Sequence, residues 1–143
     1  MDLFRGKTLI QKDGSEHLAD DVLKDASVLA LFFSAGWCPS CRLFTPLLAR
    51  AYKAQRKVEV VFVSEDRSSF AMIGYMRQSH GDWYAVKYGD PLQEELKTKY
   101  GISNIPALVA IKKDGSVISA NGLWEVITHG SRALRAWVEP TLK

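Results

Sequence analysis

Cysteine occurs twice in this 143-residue chain, and both copies lie in the run Trp37-Cys38-Pro39-Ser40-Cys41. A strand-like apolar stretch ends just before the run, and a helical pattern begins at Pro39. A C-x-x-C pair beside a β-α pattern is an arrangement of thiol–disulfide redox chemistry. With Cys38 as N-cap, Pro39 takes the first helical position, where its missing N–H costs nothing and its fixed φ suits the helix. Ser40 and Cys41 then present the backbone N–H groups that an N-cap side chain accepts. A thiolate at Cys38 gains those hydrogen bonds and the positive end of the helix dipole, and both lower its pKa.

Other uses of two sulfurs fit less well. A structural zinc site needs four ligands; there is no second C-x-x-C, and His17, His80 and His129 show no paired spacing. A disulfide closing so short a loop removes little entropy from the unfolded chain. Two inert buried thiols remain open as an alternative. The reading is therefore a dithiol that cycles, with no metal and no bound cofactor.

The elements that must hold this pair follow from hydrophobic periodicity. Thr8 to Gln11 and Glu16 to Ala19 flank Lys12-Asp13-Gly14-Ser15, a hairpin signal, and Asp20 to Asp25 forms a short helix. Val28 to Phe33 is a continuous apolar run, as in a strand buried on both faces, and Val58 to Val63, with Glu59 inside it, is a second buried strand. Between them a helix from Pro39 to about Gln55 carries the apolar stripe Leu43, Leu47, Leu48, Ala51 and Ala54. Pro46 inside it cannot bond the carbonyl of Arg42, which predicts a kink one turn below the cysteines. Ser68 caps a helix from Ser69 to about Ser79, and His80 to Asp90 reads as an aromatic-rich loop. A helix from Pro91 to Tyr100 is opened by Asp90 and closed by Gly101. Ala107 to Lys112 and Val117 to Ala120 bracket Lys113-Asp114-Gly115-Ser116, the strongest hairpin signal of the chain. Ser131 to Val138 is a final helix. The order β-β-α-β-α-β-α-β-α-β-β-α describes an α/β fold, a mixed central β-sheet with helices on both faces.

Composition sets limits on function. The length suits one domain, residues 1–143, with a real core. Hydrophobic residues at 47% and charged residues at 24% are those of a soluble globular chain. The net charge of +3 is spread over dispersed lysines and arginines, which argues against a nucleic-acid surface. The start, Met1-Asp2-Leu3-Phe4-Arg5-Gly6, lacks the apolar core of a signal peptide, and the run Val28 to Phe33 is too short to cross a bilayer. The expected setting is a reducing one, cytoplasmic and also nuclear, in which the pair cycles rather than staying oxidised.

With these residues in place, the chain resembles the thioredoxin superfamily, and within it the tryparedoxin and nucleoredoxin branch. The resemblance is carried by Trp37-Cys38-Pro39-Ser40-Cys41 with the continuation Arg42-Leu43-Phe44-Thr45-Pro46-Leu47-Leu48, by Val60-Val61-Phe62-Val63-Ser64, and by Ile105-Pro106 before a strand. Ser79-His80-Gly81-Asp82-Trp83 is also similar to nucleoredoxin-like proteins. It implies a thioredoxin-like fold over nearly the whole chain. It also implies a protein-disulfide reductase in redox homeostasis or signalling, with Cys38 as nucleophile and Cys41 as resolving thiol.

On spacing alone, Ile105–Pro106 reads as an ordinary trans proline ending a loop, and Trp37 as a residue that the core could claim. The resemblance implies a cis bond facing the cysteines, with Trp37, Pro39, Ile105 and Pro106 meeting the substrate. Many thioredoxins carry a buried aspartate six residues before the first cysteine; here that position is Phe32. Glu65 and Asp66, at the end of the neighbouring strand, are candidate proton acceptors for Cys41, although solvated loop carboxylates are the plainer reading of both. The implied partners are protein disulfides, among them peroxiredoxins or redox-regulated signalling and transcription proteins. An external reductant (a reductase, glutathione or a related thiol) must recycle a monomeric chain. The alternative is a redox-sensing interaction module with little turnover.

Overall fold

The computed structural model of the chain describes residues 3 to 139. Met1 and Asp2, on which the reading of the N-terminus partly rests, lie outside the described residues, as do residues 140–143 of the expected domain. The elements run β1 (Thr8–Ile10), β2 (Glu16–Leu18), α1 (Ala19–Val22), β3 (Val28–Ser34), α2 (Pro39–Ala54), β4 (Val58–Ser64) and α3 (Ser69–Ser79). Then follow β5 (Tyr84–Val86), α4 (Leu92–Lys99), β6 (Ala107–Ile111), β7 (Val117–Ser119), α5 (Gly122–His129) and α6 (Ser131–Val138).

All seven strands form one mixed sheet in the order β2-β1-β5-β4-β3-β6-β7. Its centre is β3 paired parallel with β4, from Val28 opposite Val58 to Ser34 opposite Ser64. Strand β6 closes the other side of β3 antiparallel, with Phe32 opposite Leu108. The continuous apolar runs are explained by what each face meets. Val28, Ala30 and Phe32 of β3 join Phe44, Leu48, Tyr75, Met76, Leu134 and Trp137 in one core layer, while Leu29, Leu31 and Phe33 join Leu92 and Leu96 in the other. Helices α2, α3, α5 and α6 thus cover one face and α1 and α4 the other. A strand that is apolar at every position is what such a double cover requires.

Three expectations need correction. The segment 80–90, read as a loop although the element order places a strand there, holds β5, which pairs parallel with β4 through Val61–Tyr84 and Phe62–Ala85; three residues give too short a run for periodicity to locate it. Helix α5 was not expected; it starts after Asn121 with no side-chain cap hydrogen bond. In α2 the buried positions are Cys41, Phe44, Thr45, Leu48, Ala51 and Tyr52, whereas Leu43 is 78% exposed and Leu47 and Ala54 are open too. Two stripes at helical spacing compete for the sheet, and the one carrying Phe44, Tyr52 and Cys41 faces it. Helix α2 runs unbroken through Pro46 to Ala54.

Candidate functional site

Strand β3 delivers the chain to the sheet edge at Ser34, and α2 starts five residues later. The turn between them is tight. Gly36 sits so close to α3 that a Cβ would meet the Cβ of Tyr75 at 2.9 Å, so only glycine fits without a shift. Its N–H donates to Asp66 Oδ1 at 2.8 Å, and the Arg42 guanidinium donates to its carbonyl. The loop that presents Trp37 and Cys38 is thereby pinned from both sides.

Cys38 is the N-cap of α2, with extended backbone (φ −98°, ψ 113°) and Pro39 at the first helical position. The Cys41 N–H donates to Cys38 Sγ at 3.3 Å, and Ser40 Oγ lies 3.4 Å from the same sulfur. Both cysteines are free thiols, but their surroundings differ. Burial works against the Cys38 thiolate, yet hydrogen bonds from Cys41 and Ser40 outweigh it and hold the thiol below its ordinary value. Cys41 is fully enclosed. Burial and the hydrogen bond with Cys38 push its thiol up to about 11, with Ser34 acting in the opposite direction. One thiol is shifted toward its thiolate and the other is held protonated.

Trp37 is half exposed, and its Nε1–H donates to the Glu65 carbonyl at 2.9 Å. The Arg67 guanidinium lies 5.0 Å from the centroid of its ring. The Ile105–Pro106 bond is cis. Pro106 shares an apolar groove with Ser40, Leu43, Leu47, Trp124 and Ile127. The large side chains left open on α2 and α5 are therefore gathered beside the redox turn, with Trp124 at 63% exposure.

The two candidate carboxylates are otherwise engaged. Glu65 forms an ion pair with Lys97 at 3.0 Å. Asp66 is buried and accepts from Gly36 N–H through Oδ1 and from the Ser64 hydroxyl through Oδ2, at 2.6 Å. Neither is among the groups that perturb Cys41. The polar groups around that thiol are hydroxyls instead. Ser34 Oγ lies 2.6 Å from Tyr75 Oη, which lies 2.7 Å from Thr45 Oγ1, and Thr45 donates to the Cys41 carbonyl at 2.7 Å. Ser34 ends an apolar strand and Thr45 follows Cys41 by one helical turn, so both carried a local signal. Tyr75 comes from α3 and carried none.

A family profile described as Thioredoxin-like matches residues 25–117. Among solved structures, a thioredoxin from Wuchereria bancrofti superposes with a TM-score of 0.86 at 40% identity, covering 98% of this chain and 99% of that one. Thioredoxin related protein 16 from Carcinoscorpius rotundicauda, described with a role in regulating NF-kB activity, gives 0.82 at 45% identity over 96% and 99%. A tryparedoxin from Trypanosoma brucei gives 0.80 at 30% identity over 93% and 92%. Nucleoredoxin from Danio rerio is 34% identical over 123 residues, 82% of this chain. The chain spans only a part of such curated relatives, 29% of that nucleoredoxin and 22% of a probable nucleoredoxin 1 from Arabidopsis thaliana. The chain belongs to the thioredoxin-like family, in its nucleoredoxin- and tryparedoxin-like branch.

Proposed function

We propose that the chain is a protein thiol–disulfide oxidoreductase working as a disulfide reductase. The observation that carries this reading is the asymmetry of the pair: Cys38 capped by helix-start hydrogen bonds and lowered, Cys41 enclosed and raised. The Cys38 thiolate attacks one sulfur of a partner disulfide, and the other sulfur departs with the electron pair as a thiolate. Cys41 then attacks Cys38, the mixed disulfide breaks, and the partner leaves fully reduced while the pair becomes a disulfide. An external thiol or a reductase returns the two electrons.

The half-exposed Trp37 and the groove beside Pro106 flank the nucleophile and suit a protein segment as substrate. Partners of this kind include peroxiredoxins and redox-regulated signalling or transcription proteins, met by a monomer in the cytoplasm and the nucleus. The description of the Carcinoscorpius rotundicauda relative, with its role in regulating NF-kB activity, favours a second reading. In it the same pair switches affinity for one regulatory partner, with little turnover.

Insulin-disulfide reduction with dithiothreitol as electron source separates the two. The proposal expects many turnovers per molecule of chain, lost in Cys38→Ser and in Cys41→Ser. A single equivalent reduced, with no continuing turnover, would remove the reductase reading and leave the switch.

A further inference from the structure

Most charged side chains around the redox turn have partners of their own. Glu65 is paired with Lys97 at 3.0 Å. Asp66 is buried and accepts from the Gly36 N–H at 2.8 Å and from the Ser64 hydroxyl at 2.6 Å. The Arg42 guanidinium donates to the Gly36 carbonyl. Arg67 is different. Among the described residues its side chain has no hydrogen bond and no ion pair; its guanidinium lies over the Trp37 ring, 5.0 Å from the centroid. Trp37 is itself held, because its Nε1–H donates to the Glu65 carbonyl at 2.9 Å. An unpaired cation therefore rests on the residue that precedes the nucleophile.

Trp37 and Arg67 also open onto a groove of about 350 Å³ on the α3 side of the turn. Phe70 lines it with 91% of its surface exposed, and Gln78 lines it from further along α3. A Cβ at Gly74 would meet nothing within 4 Å, so the wall of α3 leaves room there. This groove differs from the one beside Pro106, which no charged side chain lines. A guanidinium stacked on an aromatic ring keeps the edge of its planar fork free, and that fork matches a carboxylate.

We propose that Arg67 is a specificity-determining residue, which selects disulfides flanked by acidic side chains by pairing with a carboxylate of the partner. The inference rests on the proposed attack of Cys38 on a partner disulfide. The occupant of the groove is an extended acidic segment of the partner protein, and Phe70 gives it apolar cover. Extended chain advances about 3.4 Å per residue, and Arg67 sits on the neighbour of Cys38. The carboxylate thus belongs within a few residues of the attacked cysteine. Cys38 Sγ bonds to one partner sulfur while the other leaves with the electron pair; Arg67 takes no part in these bonds and acts by binding.

Seven-residue peptides with one central cysteine, activated as the mixed disulfide with thiopyridine, isolate this step. Attack by Cys38 of the reduced full chain on the peptide sulfur expels thiopyridone, whose absorbance gives the initial rate. Three peptides carry Glu, Gln or Lys two residues before and two residues after the cysteine. Each rate is divided by that of 2-mercaptoethanol with the same peptide, which removes the effect of flanking charge on the disulfide itself.

At low salt the Glu peptide should react about threefold faster than the Gln peptide, with the Lys peptide slowest. Arg67→Gln should bring the Glu-to-Gln ratio close to one, and Arg67→Glu should put the Lys peptide first. Lys53→Gln removes the same charge from the last turn of α2 and should keep the wild-type ratio. A wild-type ratio of one would overturn the proposal. So would an equal loss of the ratio in Lys53→Gln, which makes the preference one of net charge. Equal slowing of all three peptides in Arg67→Gln, with the ratio kept, would overturn it too and leave Arg67 as a support for Trp37. A wild-type chain that expels no thiopyridone overturns instead the nucleophile assignment beneath it.

Discussion

Tyr75 separates two buried polar groups that handle their protons in opposite ways. Its hydroxyl meets Ser34 and Thr45 beside Cys41. Its ring meets the His80 ring at 4.4 Å and 77°, in an edge contact. Indole is a donor only, so the Trp83 Nε1–H gives its proton to His80 Nδ1 at 2.9 Å. The neutral imidazole then carries its hydrogen on Nε2, which has no hydrogen-bond partner among the described residues. The rings of Phe62 and Phe32 pack around it. Each member of the hydroxyl line is a rotor, whereas the imidazole is held in one tautomer by Trp83. Buried polarity near Cys41 is thus adjustable, and buried polarity one ring further in is fixed. The first lies beside the cysteine pair and the second is packed within the aromatic core.

The largest test of that division is Trp83→Ala. Trp83 is fully buried against Tyr52, Phe32 and His80, so its loss should cost about 4 kcal/mol in urea unfolding. In the molecules that remain folded, Cys38 alkylation should keep its pH profile. A shifted profile would mean the two regions are not separate.

A somewhat smaller effect comes from pH. Burial lowers His80 to about 3, so the unfolded chain binds a proton that the native chain refuses. Stability from His80 is therefore lost as pH falls from 6.5 towards 3. Glu59 works the other way. Burial raises it to about 7 against the hydrogen bond it accepts from Tyr52. Its contribution is present below its unfolded value near 4.5 and is lost as pH rises to 7, about 3 kcal/mol in all. Between pH 4.5 and 6.5 the two slopes oppose each other. Glu59→Gln should remove one of them, so that stability rises from pH 5.5 to pH 7 by roughly 1.6 kcal/mol more than in wild type. Parallel pH curves for the two proteins would show that Glu59 does not titrate in this range.

An effect of the same small size is expected on the stability of the hydroxyl line. Tyr75→Phe keeps the ring and loses two hydrogen bonds of the line, and should cost about 1 to 2 kcal/mol. A loss as large as that of Trp83→Ala would place the line among the fixed elements of the core.

Much of this was legible in the sequence because single local signals sufficed. The C-x-x-C at a strand-to-helix junction, the Asp114-Gly115 turn with Gly115 at φ +92°, and the largely apolar β3 and β4 each fix an element without tertiary information. The choice between two stripes on α2 was not local. Leu43 with Leu47 and Phe44 with Leu48 have the same spacing, and only the sheet decides which goes inside. Tyr75 was equally out of reach, because its hydroxyl joins residues 41 and 30 positions away, Ser34 and Thr45. The Glu65 and Asp66 expectation followed from the place of both residues after the end of β4. It could not foresee that Lys97 and the turn at Gly36 claim those carboxylates.

The most direct test of the central claim is residue-resolved alkylation of the reduced chain. Iodoacetamide in limiting amount is followed by peptide mass spectrometry from pH 5 to 10. The account predicts modification of Cys38 with a midpoint below the free-cysteine value of about 8.5, and Cys41 left unmodified throughout the neutral range. A Cys38 midpoint at or above that value, or equal labelling of Cys41 at neutral pH, would contradict it.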